Sequence, residues 1–153
     1  MKAAVLTVST SLAAGEGEDL SGPALVALCE AAALEVSHTV VSDDREAIAA
    51  ELRRLADDED ARFVFTTGGT GLTPDDVTPE ATREVIDREA PGYAESIRAD
   101  SREHTPLGIL TRGVSGLRGR TLIVNFPGNP KAIEQSWPVV EPTLKHAAAT
   151  LER

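Results

Sequence analysis

RFVFTTGGTGLTPDDVTPE, Arg62 to Glu80, shows the build of this chain in nineteen positions. The aromatic and β-branched run Arg62 to Thr67 reads as a buried strand. Gly68, Gly69 and Gly71 then make a loop, and Thr78-Pro79-Glu80 opens a helix, with Thr78 as N-cap and proline at a first turn where its missing N–H costs nothing. A strand passing through a glycine-rich loop into a helix is the repeating element of sheets whose crossovers are helical.

The same alternation extends on both sides. Ala3 to Val8, Val36 to Val41 and Thr121 to Phe126 are further short apolar runs bounded by turn or helix signals. Leu20 to Leu34, Asp44 to Ala56, Pro79 to about Ala90 and Pro91 to Arg102 carry helical spacing. Lys131 to Glu152 is helix-rich, and Pro138 with Pro142 predicts a break near Trp137. The expectation is an α/β fold of three layers, α/β/α, with a mostly parallel central sheet, in a single domain over 1–153. Ligands of such sheets bind beyond the carboxyl ends of the strands. The loops that begin there are Ser9 to Asp19, Thr66 to Thr78 and Phe126 to Pro130.

Charge and composition exclude several classes. Twenty-five acidic against fifteen basic residues give a formal charge of −10, which repels a nucleic-acid backbone. No apolar run approaches the roughly 18 residues of a membrane span, and no secretory signal follows Met1, so a cytoplasmic location is expected. The single cysteine, Cys29, sits in an apolar helical pattern and reads as a core residue. His38, His104 and His146 show no metal-ligand spacing.

The glycine-rich loop has the context of an anion seat, yet it lacks the Gly-Lys-Ser/Thr ending of a P-loop and the Gly-x-Gly-x-x-Gly of a dinucleotide fingerprint. Asp75 and Asp76 follow it, which sets negative charge beside a phosphate seat. Either Asp76 complements the next helix, or it joins a divalent cation that bridges carboxylates and phosphates. Asp43 and Asp44 allow the same two readings, as helix-start residues or as a contribution from a neighbouring loop. In Asn125-Phe126-Pro127-Gly128-Asn129-Pro130-Lys131 the prolines stiffen a strand-to-helix turn. Lys131 and the N–H groups around it stand where they could hold an anion.

With these motifs assembled, the chain resembles the molybdenum-cofactor biosynthesis family typified by molybdopterin adenylyltransferase, which includes the G-domain of gephyrin. Thr66 to Ala81 resembles the family's threonine-glycine loop with Asp-x-Thr-Pro-Glu, and Leu122 to Ile133 its Pro-Gly-x-Pro-Lys-Ala turn. Glu18 to Leu25, Val40 to Ile48 and Leu110 to Gly119 are similar to further family segments in the same order.

The resemblance implies a molybdopterin-binding-like fold, a homotrimer, and transfer of AMP from ATP to molybdopterin with Mg²⁺ present and pyrophosphate released. It places the catalytic and metal-holding carboxylates at Asp43 and Asp76. Substrate and nucleotide contacts fall to Ser9, Thr67, Gly68, Gly69, Thr70, Gly71, Thr111, Pro127, Gly128, Asn129 and Lys131. Two positions depart from the family pattern: Thr10 stands where many relatives have aspartate after Val-Ser, and Thr111 where serine is usual. Two other readings stay open: a molybdopterin-binding protein without transfer activity, and a nucleotide hydrolase on the same fold.

Overall fold

The computed structural model describes residues 1–153. Its strands are β1 (Lys2–Val8), β2 (Glu35–Val41), β3 (Phe63–Thr67), β4 (Arg88–Glu89), β5 (Ser115–Arg118) and β6 (Thr121–Phe126). They form one sheet in the order β2-β1-β3-β6-β5-β4. β2, β1, β3 and β6 run parallel, and the β5–β6 and β4–β5 pairs are antiparallel.

The helices are α1 (Thr10–Ala13), α2 (Ser21–Ala31), α3 (Arg45–Arg53), α4 (Thr78–Val85), α5 (Gly92–His104), α6 (Pro130–Val140) and α7 (Leu144–Leu151). They cover both faces of the sheet, and the side-chain period of two divides the core between them. Phe63, Phe65, Val124 and Phe126 pack on one face against Leu25 and Cys29 of α2, Ile97 of α5 and Ile133 and Trp137 of α6. Leu6, Val64 and Ile123 pack on the other against Ile48 and Leu52 of α3 and Ala81 and Val85 of α4. Burial on both faces is why these strands read as unbroken apolar runs.

Phe65 stands at the middle of the first layer, stacked on Phe63 at 5.9 Å and edge-on to Trp137 at 5.5 Å. Cys29 is fully buried there, and burial pushes its thiol up to about 12, leaving no reactive thiolate.

Three local expectations need correction. The segment from Pro79 to Ala90 is not one helix: α4 ends at Val85, and Arg88–Glu89 pairs with Ser115–Arg118 to make an antiparallel sheet edge. These strands have two and four residues, too short for any period to register. The C-terminal helix does not break near Trp137, for α6 continues through Pro138. Pro138 lies on the exposed side while Ile133, Trp137 and Val140 anchor the opposite side in the core, so loss of one helical bond is tolerated. The break falls at Glu141–Thr143, a 3₁₀ turn holding Pro142. Lastly, α3 ends at Arg53 and runs into a π-helical turn, Arg54–Asp58, instead of continuing regularly to Ala56.

Candidate functional site

The strand order reverses direction between β1 and β3: β2 lies on one side of β1, and the next strand in sequence lies on the other. The loop after β3 crosses this switch point. Gly68 passes so close to β1 that a Cβ there would run into the carbonyl oxygen of Val8, and its φ is +95°. Gly69 has φ +68°, and a Cβ on it would strike the Thr78 hydroxyl. Both positions therefore require glycine.

Hydrogen bonding turns this loop one way. The Gly68 carbonyl accepts from Thr78 Oγ1 at 3.0 Å and the Gly69 carbonyl from the Thr78 N–H at 3.1 Å. The Thr70 carbonyl accepts from the Arg112 N–H at 2.8 Å and the Gly71 carbonyl from Arg112 Nε at 2.9 Å. No protein group accepts from the N–H of Gly68, Gly69, Thr70 or Gly71. A loop whose four consecutive carbonyls are engaged while its N–H groups lack a protein acceptor offers the polarity an anion would meet. Thr78 thus holds the glycine loop and does not cap α4, contrary to the expectation from sequence; the N-cap position is Val77, which makes no side-chain cap bond.

Two carboxylates flank the same stretch. Asp44 is the N-cap of α3, accepting from the Ala47 N–H at 2.8 Å, and this frees Asp43 from that role. Asp43 Oδ2 accepts from the N–H of Thr10 at 2.9 Å and from its hydroxyl at 3.1 Å, and the Asp43 N–H donates to Thr10 Oγ1 at 3.0 Å. Asp43 Oδ1 makes no hydrogen bond and lies 3.3 Å from where a Gly69 Cβ would stand. Asp76 lies against Gly71, its Oδ2 2.8 Å from a Cβ there, and this Oδ2 accepts from the N–H of Thr73 at 3.0 Å and its hydroxyl at 2.8 Å. Asp75 is exposed. No group of three or more histidine, cysteine or carboxylate side chains makes a full protein cage for a metal.

Arg112 ties down the far end of this loop. Besides Gly71, its guanidinium bonds the Asp76 carbonyl at 2.7 Å and both oxygens of Glu80, at 2.9 and 3.0 Å. The guanidinium holds the Glu80 carboxyl below the usual carboxylate range. Thr111, the preceding residue, donates to Thr70 Oγ1 at 3.2 Å.

On the other side of the loop lies a cleft of about 330 Å³, lined in part by Ser9, Asp19, Thr67, Gly68, Gly128 and Pro130. Asp43 and Asp76 do not line it; they sit along the loop past Gly68. Two larger hollows, of about 410 and 400 Å³, lie elsewhere: one at the start of β1 and β2, the other beside Tyr93 and Val139. Neither reaches the carboxyl ends of the parallel strands, where ligands of such sheets bind.

Other residues singled out from sequence have local duties. Ser9 caps α1, accepting from the Leu12 N–H at 3.3 Å. The Thr67 hydroxyl donates to the Pro127 carbonyl at 2.9 Å, joining two of the loops. Asn129 caps α6, with its Oδ1 accepting from the N–H groups of Lys131 at 2.9 Å and Ala132 at 3.4 Å. The N–H of Lys131 is therefore engaged, against the expectation that it stands free, while its side chain is exposed.

Sequence reasoning did not assign roles to Thr10, Thr73 or Arg112, and gave Thr78 a capping role in place of its hold on the glycine loop. Thr73-Pro74-Asp75-Asp76 does carry the Thr-x-x-Asp spacing of a reciprocal cap, a usable signal. Thr10 and Arg112 meet their partners across 33 and more than 30 residues, and no local pattern records that.

Comparison with known proteins agrees with this architecture. Residues 4–146 match the family described as "probable molybdopterin binding domain". The chain is similar to the molybdopterin adenylyltransferase of Helicobacter pylori strain J99, 37% identical over 145 residues that cover 93% of this chain and 82% of that protein. It is also similar to the molybdenum cofactor synthesis protein cinnamon of Drosophila melanogaster, 39% identical over 94% of this chain but 24% of that protein, of which it spans about a quarter. Among solved structures, the molybdopterin biosynthesis enzyme MoaB of Thermus thermophilus matches with a TM-score of 0.91 and 43% identity, covering 98% of this chain and 95% of that one.

Proposed function

The chain belongs to the "probable molybdopterin binding domain" family, and from that premise we propose that it is a molybdopterin adenylyltransferase of molybdenum cofactor biosynthesis, acting on ATP and molybdopterin. A terminal phosphate oxygen of molybdopterin attacks the α-phosphorus of ATP; a new P–O bond forms and pyrophosphate leaves with the electrons of the broken one. The attacking phosphate is already ionised and needs no general base. The protein's work is to align two polyanions and offset their charge.

The observation that carries this reading is the loop of four unengaged N–H groups, Gly68 to Gly71, flanked by Asp43 and Asp76. The N–H groups receive phosphate oxygens. A lone pair of carboxylates beside an anion seat suits Mg²⁺, which keeps several waters and takes one or two carboxylates with substrate phosphates. Asp43 and Asp76 would hold the ion, which supplies charge neutralisation at the phosphates. Ser9, Thr67 and Gly128 line the adjoining cleft, Pro127 and Lys131 flank its Gly128–Pro130 side in sequence, and the exposed Lys131 ammonium would offset phosphate charge there. The Thr70 and Thr111 hydroxyls stiffen the loop from behind.

The protein works as a cytoplasmic homotrimer in this reading. Leu72, Leu107, Ile109 and Leu110 are large apolar side chains left exposed in the single chain, and association would cover such surface. No helix is long and apolar enough to cross a membrane.

Pyrophosphate release with ATP, Mg²⁺ and molybdopterin, run beside a reaction lacking molybdopterin, tests the assignment. Release only in the complete mixture supports adenylyl transfer. Release without the pterin would make the chain a nucleotide hydrolase, and binding of molybdopterin with no release would make it a carrier. Sedimentation velocity reads the assembly state separately.

A further inference from the structure

The two carboxylates beside the glycine loop are held in the same way by unrelated parts of the chain. Thr10 reaches Asp43 from 33 residues away, and Thr73 reaches Asp76 from three. In each case one threonine gives both its N–H and its hydroxyl to a single carboxylate oxygen, Oδ2. In each case Oδ1 is left without a hydrogen bond, and neither Oδ1 is buried. Both carboxylates adjoin the glycines of one short stretch, Asp43 at Gly69 and Asp76 at Gly71.

We infer that Thr10 and Thr73 are positioning residues which present Asp43 and Asp76 to a divalent cation through one oxygen each. The inference rests on the proposed Mg²⁺-dependent reading and extends it to residues that reading does not assign. A carboxylate whose second oxygen carries two protein hydrogen bonds cannot rotate to chelate with both oxygens without breaking them. One-oxygen ligation matches the short, strictly octahedral shell of Mg²⁺, whereas bidentate carboxylates suit the larger and looser shell of Ca²⁺. Thr10 also gives this chain a neutral hydroxyl beside Asp43, so the pair is positioned without adding a third negative charge. Serine retains the hydroxyl of threonine, and valine retains its shape without the hydroxyl.

The test uses the full chain and Mn²⁺ as probe, titrated in the presence of the α,β-methylene analogue of ATP and read by water-proton relaxation. Thr10→Val and Thr73→Val should each raise the Mn²⁺ dissociation constant roughly ten-fold, the lower range for loss of a partner to a metal-binding side chain. Thr10→Ser and Thr73→Ser should bind within about two-fold of the parent chain, by keeping the bond that valine removes. In pyrophosphate release the valine variants should need more Mg²⁺ for half-maximal rate while approaching the parent kcat at saturating Mg²⁺. Calcium should gain on magnesium in the valine variants as the carboxylates are freed to chelate.

Unchanged Mn²⁺ binding in both valine variants overturns the inference, as does equal impairment by serine and valine. A parent chain that binds Mn²⁺ with the nucleotide yet releases no pyrophosphate refutes adenylyl transfer while leaving the role of the threonines standing. A parent chain that shows no Mn²⁺ binding removes both.

Discussion

Replacing Arg112 by methionine keeps the apolar stem and deletes a guanidinium that holds two carbonyls of the glycine loop and one carboxylate. Its bonds to the Gly71 and Asp76 carbonyls are charge-assisted, but the side chain is 37% exposed, so each is taken at about 1 to 1.5 kcal/mol, at or just below the lower end of the range for charged groups. The ion pair with Glu80, itself 34% exposed, adds about 0.5 kcal/mol after solvent screening. The total of about 3 kcal/mol corresponds to a fall in Tm of roughly 6 to 12 °C for a chain of this size. Glu80→Gln removes the ionic part alone and should lower Tm by about 1 to 2 °C. Scanning calorimetry on the ligand-free variants measures both, and hydrogen exchange at residues 72 to 77 should quicken in the arginine variant far more than in the glutamine one. An Arg112→Met variant melting within about 2 °C of the parent, or a Glu80→Gln variant as unstable as it, would refute the view that the carbonyl bonds carry the effect.

Further outcomes follow from the same geometry. Gly69→Ala places a methyl against the Thr78 hydroxyl at φ +68° and should cost about 1 to 3 kcal/mol, read as a lowered urea midpoint. Phe65→Ala opens the aromatic layer beside Trp137 and should cost about 3 to 5 kcal/mol, with loss of near-ultraviolet circular dichroism. Glu51, Asp57 and Glu80 have carboxyls lowered by Arg54, Arg118 and Arg112, so their stabilisation is complete above the ordinary carboxylate range and is lost as pH falls through the lowered folded-state values. Urea midpoints should hence be flat near neutrality and fall below about pH 4, and a rise there would contradict the assignment. Asp76→Asn keeps an acceptor for Thr73 but removes a charge from the proposed cation site, so pyrophosphate release should fall at least about ten-fold with little change in Tm.

How much of this was legible in the sequence depended on how local each cause is. Three of the four parallel strands, β1, β3 and β6, were readable because burial on both faces makes them nearly unbroken apolar runs, the edge strand β2 because its β-branched residues recur although it is largely exposed, and the glycine loop because Gly68 and Gly69 answer steric demands that no other residue meets. Strands β4 and β5 were not readable, since their pairing is set by the neighbouring β6 and by a turn at Gly119 more than by any pattern of their own. Pro138 misled because proline signals a break only if nothing else holds the helix, and here three core side chains do. At the site, the carboxylates were visible as residues and their partners were not. Thr10 looked like a missing charge, and only the fold shows it as the donor that fixes Asp43.

The placement of charge around the loop explains how a chain of formal charge −10 can be suited to phosphates at all. Its nearest cationic group, Arg112, is already engaged with Glu80 and two carbonyls, so it braces the loop without being free to pair with a ligand. The donors that remain on the loop itself are uncharged N–H groups, which attract an anion only at short range. Asp43 and Asp76, each with one oxygen unengaged, would repel the same anion unless a cation stood between. In the proposed reading, a site built so would admit phosphate together with a metal and disfavour phosphate alone. A lysine-lined seat would bind both, and the two carboxylates are what make the difference.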